Sequence, residues 1–298
     1  MSAARIMLPP MPVKRFQLGK PRALALVSIA AMLGAAIYAT DRPVHSRLGF
    51  YVWKFISGKA HGGQCANINN VCIYYETYGA GPPVLVLHGG LGSIEGMSYQ
   101  IMALATSHFV VAADSRGHGR STDSNVPLSY SLMSDDMLKI LDRLQIHRVD
   151  VVGWSDGGII GLDLAMRHPE RIRKLVAISA NYDVGGLLVS PTLATEIPRA
   201  PLSYKLFAPD PAHWPALYRR VVTMWQTEPH YTLNDLGHIR APTLVMAGER
   251  DIIKREHTDQ LAKAISGSQE VIIEGGTHAV PFEKPELVNS NILRFLDE

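Results

Sequence analysis

The sequence predicts an α/β protein: an eight-stranded, mostly parallel sheet flanked by helices, a helical cap inserted after strand 6, and an N-terminal membrane segment. Three observations predict it. From about Gln64 onward, short β-branched runs alternate with stretches of helical periodicity. Residues 183–240 interrupt that alternation with a run of prolines, Pro191, Pro198, Pro201, Pro209, Pro211 and Pro215 among them, and no strand pattern. Between Arg22 and Asp41 no residue is charged.

Composition narrows the function classes. The chain has 298 residues, 47% of them hydrophobic and 19% charged, which is the balance of a folded protein with one large core. Lys and Arg number 29 against 27 Asp and Glu, a net charge of +2, without a basic block outside the N-terminus. Such a surface offers no electrostatic footprint for nucleic acid. Cys65 and Cys72 exclude a disulfide framework and any four-cysteine metal site, but a single bridge across the turn at Asn69-Asn70 and two packed thiols both fit their spacing.

Taken in order, residues 1–22 form a basic leader with Lys14, Arg15, Lys20 and Arg22 before the apolar run of residues 23–40. The positive-inside rule then leaves the leader in the cytoplasm and places all that follows outside it, as a membrane-anchored domain, or a secreted one if the run is cleaved. Residues 41–63 read as a juxtamembrane segment and linker. Leu48, Tyr51, Val52, Phe55 and Ile56 recur there at helical spacing, which suits either a membrane interface or packing on the following domain. The domain proper is read as 64–298, with 183–240 as its cap.

Two strands around Asn69-Asn70 come first, followed by continuous apolar runs at 84–87, 109–113, 149–153, 175–179, 243–247 and 270–273. Runs without alternation are what strands buried on both faces look like. Helical patterns fill the gaps at 97–105, 131–144, 156–167, 256–265 and 286–296. Within the cap, Trp214, Leu217, Tyr218, Val221, Val222 and Trp225 share one helical face.

The strand at 149–153 runs into Gly153-Trp154-Ser155-Asp156-Gly157-Gly158 and then a helix. In that strand-turn-helix setting G-x-S-x-G is a nucleophile elbow, because a sharp turn with no bulky flanks projects Ser155 at a helix N-terminus. Serine is a poor nucleophile without a base, and a base needs an orienting acid. Asp251 follows the strand at 243–247 and His278 the strand at 270–273, so both lie on the sheet edge to which the elbow points. The order is Ser, acid, His. The loop His88-Gly89-Gly90-Leu91-Gly92 follows the first parallel strand, and the N–H groups of Gly90 and Asp156 are candidate oxyanion donors. His88 is read as a packing and hydrogen-bonding residue, and Glu249 as the reserve acid.

On these residues, together with Asp114-Ser115-Arg116-Gly117-His118-Gly119-Arg120-Ser121 and Gly276-Thr277-His278, the chain resembles the α/β-hydrolase superfamily from about Asn67 to its C-terminus. The resemblance implies an antiparallel second strand, a cap over the pocket, Ser155, Asp251 and His278 as the triad, and a structural turn at Asp114–Ser121. The Trp154-Ser155-Asp156-Gly157-Gly158 form is similar to that of small bacterial esterases and valacyclovir-hydrolase-like proteins. The expected activity is hydrolysis of a small carboxylic ester through an acyl-enzyme, with no cofactor. Trp154, Trp214, Tyr218 and Trp225 are the candidate substrate-binding residues, the three cap aromatics fitting equally a role in packing the cap onto its own core. Asp156 suits either a cationic substrate group or the helix dipole. Amide, lactone or carbon-carbon substrates, and a non-catalytic membrane-tethered ligand-binding protein, are the alternatives. No G-x-G-x-x-G opens a helix after the first strand, and no H-E-x-x-H or paired metal-ligand spacing occurs.

Overall fold

The computed structural model of the protein describes residues 42–191 and 196–298. The apolar run of residues 23–40 lies outside them, and no helix among the described residues is long and apolar enough to cross a membrane. Eight strands form one sheet in the order β1-β2-β4-β3-β5-β6-β7-β8. They are β1 (Ala60–Ile68), β2 (Val71–Tyr78), β3 (Pro83–Leu87), β4 (Phe109–Ala113), β5 (Val149–Trp154), β6 (Ile172–Ile178), β7 (Thr243–Arg250) and β8 (Gln269–Thr277). β2 runs antiparallel to both β1 and β4, and the other neighbours are parallel.

Alternate residues of each central strand feed two separate cores. Leu85, Leu87, Val149 and Val151 meet the helices Tyr130–Arg143 and Asp156–Arg167 on one face. Val84, Val86, Val152 and Val176 meet Ser98–Leu104 and Pro285–Asp297 on the other. Burial on both faces explains why these strands read as unbroken apolar runs.

β8 extends beyond the expected 270–273. Gly275, Gly276 and Thr277, read as loop, continue the strand because a register shift between Gly248 and Arg250 lets Arg250 pair with Thr277. Cys65 and Cys72 are joined as a disulfide across β1 and β2, with Cα atoms 5.3 Å apart; the register pairs Cys65 with Tyr74 and Cys72 with Asn67, so the cysteines sit diagonally.

The domain boundary placed at Gln64 moves. The compact unit begins at Gly49, within the helix Arg42–Ile56, and β1 starts inside the expected linker. Of the expected stripe, Tyr51 packs on the domain, together with Phe50 and Lys54 from beside it. Phe50 is fully buried beside Tyr78, the Tyr51 hydroxyl donates to Glu95 at 2.7 Å, and Lys54 pairs with the buried Glu76. Val52, Phe55 and Ile56 point to solvent. The reason is electrostatic as well as steric: in this rotation Lys54 brings a cation to the buried Glu76 carboxylate, which also accepts from the Tyr74 and Tyr78 hydroxyls.

Between β6 and β7 the chain forms short helices at Leu202–Phe207, Trp214–Thr227 and Leu233–Leu236. Isolated bridges pair Asp183 with His230 and Leu187 with Ile253. The second of these fastens the segment beside Asp251.

Candidate active site

β5 ends at Trp154 and the next helix begins at Asp156, which leaves Ser155 alone at the corner with φ 55° and ψ −120°. A non-glycine residue held there stores about 1–3 kcal/mol of backbone strain, which the surroundings must hold. The flanking glycines are required by contact. A Cβ on Gly153 would lie 2.1 Å from the Gly157 carbonyl oxygen, and one on Gly157 would lie 2.4 Å from that of Leu87. Both obstacles are backbone and cannot turn aside.

The corner meets two other strand ends. His278 Nε2 lies 3.0 Å from Ser155 Oγ, and His278 Nδ1 lies 2.7 Å from Asp251 Oδ1. Asp251 also accepts hydrogen bonds from the Ser179 hydroxyl at 2.6 Å and the Ile253 N–H at 3.2 Å. Burial alone would raise the Asp251 carboxyl, but the hydrogen bond and charge of His278, with those two donors, hold it below its ordinary value. The acid therefore stays ionised at neutral pH. Ser179 was not read from the sequence; its only signal is its place at the end of β6, on the same sheet edge.

Beneath the cavity mouth the backbone N–H groups of Gly90 and Asp156 donate to no group among the described residues. His88 uses both ring nitrogens in the loop: Nδ1 bonds the Gly89 carbonyl at 2.7 Å and Nε2 accepts from the Ser115 N–H at 3.0 Å. Burial pushes it down to about 3, so it is a neutral strut. Glu249 is exposed and accepts from the Gly275 N–H at 2.9 Å, away from the imidazole.

A cavity of about 490 Å³ opens over Ser155 and His278. Of the four expected substrate-binding residues, Trp154 and Trp225 line it. Trp154 has a further task, since its indole N–H donates to the His278 carbonyl at 2.8 Å. Trp214 and Tyr218 do not line it. Trp214 is buried, donates to the Pro198 carbonyl at 2.6 Å and packs against Tyr204, with Tyr218 beside it. Trp214 joins Tyr204, Leu217 and Val221 in the buried core of the inserted segment, and Tyr218 is half-buried against it. Tyr130, Asn181, Val189 and Ile252 line the cavity without having been expected.

Asp156 is not free to face a cation. It is buried, and its carboxylate accepts from Tyr130 Oη at 3.0 Å and from Trp225 Nε1 at 2.9 and 3.0 Å. Burial raises it to about 6, with the two hydrogen bonds opposing that rise.

The turn after β4 is structural. Asp114 accepts from the Ile94 N–H at 2.7 Å and the Arg120 N–H at 2.8 Å, and burial pushes it up to about 7. Arg116 forks onto Asp136 at 2.7 and 2.6 Å.

A family model described as the alpha/beta hydrolase fold matches residues 82–198. A putative carbamate hydrolase, RutD, of Rhizobium rhizogenes is 33% identical over 257 residues, covering 75% of this chain and 97% of that protein. Est816, a solved structure described as an N-acyl homoserine lactone degrading enzyme, matches with a TM-score of 0.64 and 26% identity, over 78% of this chain and 100% of its own. The enol-lactonase of Burkholderia xenovorans LB400 shares the fold at a TM-score of 0.64 and 21% identity, over 79% of this chain and 100% of its own.

Proposed function

The chain belongs to the α/β-hydrolase family, and from that premise we propose that it is a serine hydrolase of carboxylic esters. The observation that carries the reading is the continuous relay from Ser155 Oγ through His278 to Asp251, at 3.0 and 2.7 Å, on the floor of a cavity. His278 takes the Ser155 proton as the oxygen attacks the ester carbonyl, and Asp251 fixes the tautomer that leaves Nε2 free to accept it. The N–H groups of Gly90 and Asp156 hold the oxyanion. The alcohol leaves with the proton from His278, an acyl-enzyme remains on Ser155, and water activated by the same imidazole releases the acid.

A second reading, a carbamate or lactone substrate, draws on the name of the Rhizobium relative and on that of Est816. All three substrate classes pass through a tetrahedral adduct on the same serine. The test is a panel of p-nitrophenyl esters from acetate to decanoate, an aryl N-alkylcarbamate and an acyl homoserine lactone. The ester reading expects the highest kcat/KM on an ester, and faster turnover of the carbamate or the lactone would overturn it.

We also propose that the run at residues 23–40 anchors the domain outside the cytoplasm. The cations Lys14, Arg15, Lys20 and Arg22 just before it support this orientation, and the Cys65–Cys72 bridge suits an oxidising compartment. The full-length chain with a C-terminal alkaline phosphatase should be phosphatase-positive and sediment with membranes after a carbonate wash. An inactive fusion would overturn the orientation, and a soluble protein would overturn the anchor.

A further inference from the structure

Three elements distant in sequence converge on one carboxylate beside the nucleophile. Trp225 belongs to the helix Trp214–Thr227 of the inserted segment, Tyr130 opens the helix Tyr130–Arg143, and both donate to Asp156. Gly90, on the loop after β3, is wedged between them. A Cβ there would lie 2.4 Å from Asp156 Oδ2 and 2.4 Å from Trp225 Cζ2. Asp156 thus supplies one oxyanion N–H from its backbone while its side chain touches the residue that supplies the other.

We propose that the Asp156 carboxylate is a positioning group that pins the two oxyanion donors in register, with Trp225 and Tyr130 holding the pin. The proposal rests on the serine-hydrolase reading of the same site. Its physical basis is preorganisation: an oxyanion hole accelerates the reaction only if its donors already point where charge develops. Gly90 carries no side chain to lock its peptide, and its neighbour Leu91 sits at φ 56°. From within the loop, His88 Nδ1 at 2.7 Å and the Gly92 N–H at 3.1 Å hold the Gly89 carbonyl of that peptide, and Asp156 with Trp225 closes on Gly90 from the opposite direction. A buried carboxylate needs several donors, and an indole and a phenol meet that need without placing a cation beside the nucleophile. The arrangement also makes the seating of the inserted segment a condition for a competent oxyanion hole, since Trp225 arrives only with its helix.

Asp156→Asn and Trp225→Phe separate this role from a purely structural one. Asparagine offers one acceptor oxygen in place of two, and phenylalanine keeps the apolar ring but deletes the N–H. Each should lower kcat on p-nitrophenyl butyrate about tenfold, with KM changed less than about twofold, because misaiming a donor removes transition-state rather than ground-state interaction. The affinity for phenylboronic acid, whose adduct on Ser155 is tetrahedral, should fall by the same factor. The double variant should lose no more than the worse single variant, since both cut one connection.

Two variants that keep kcat and boronate affinity within twofold of wild type, or whose losses multiply, would overturn the proposal. Should Asp156→Asn fail to fold, Trp225→Phe and Tyr130→Phe carry the same comparison. A wild-type chain that cleaves no ester but binds the boronate would defeat the ester reading alone, because boronate affinity reports the oxyanion site without turnover.

Discussion

Ser155→Ala should fold like the wild type and hydrolyse p-nitrophenyl butyrate about 10⁴-fold more slowly or worse. The substitution deletes one oxygen at a corner whose backbone alanine adopts as readily as serine does. It leaves His278 bonded to Asp251 at 2.7 Å and the two N–H groups in place. What it removes is the only nucleophile among the described residues within hydrogen-bond reach of His278 Nε2, at 3.0 Å. Residual catalysis then comes from binding and the oxyanion donors alone. The measurement is steady-state turnover beside a thermal melt, and a folded variant retaining more than a tenth of wild-type activity would remove Ser155 from the mechanism.

The largest expected loss of stability lies away from the nucleophile, at Arg116. Its guanidinium forks onto Asp136 at 2.7 and 2.6 Å, and both side chains are at most 2% exposed. Burial raises the Asp136 carboxyl, and the hydrogen bonds and charge of Arg116 are what oppose the rise. Arg116→Met leaves that carboxylate buried without its cation, at a cost of about 3–5 kcal/mol. Urea unfolding should report that loss. Adding Asp136→Leu should recover a large part of it, because an apolar pair of similar volume no longer pays for desolvation. A single variant less than about 1 kcal/mol destabilised would show that water or another group replaces the arginine.

The proposed catalytic residues were legible because each sits where a local pattern changes. Ser155 stands between an apolar run and a helix, with Gly153 and Gly157 marking a corner that the backbone contacts of 2.1 and 2.4 Å explain. Asp251 and His278 were legible by position, since parallel strands put their C-terminal loops on one edge. The aromatic residues of the inserted segment were not. Trp214, Tyr218 and Trp225 share a helical face, and periodicity marks all three as inward-facing. Only the packing of that helix sends Trp225 to Asp156 while Trp214 turns to Tyr204 and the Pro198 carbonyl.

By itself the sequence determined the number of strands, the elbow, the order of serine, acid and histidine, and the glycine-rich loop, because all of these follow from short-range sterics and burial on both faces of a sheet. Tertiary structure alone decided which face of the helix Arg42–Ile56 packs, that β8 runs on to Thr277, and that Asp156 is enclosed by Tyr130 and Trp225 rather than open to a substrate. Each of those outcomes depends on a partner far away in the chain: Glu76 for Lys54, Arg250 for Thr277, and an indole 69 residues on for Asp156. Local propensity carries no record of such partners, since the energy that selects them exists only once the distant segments have met.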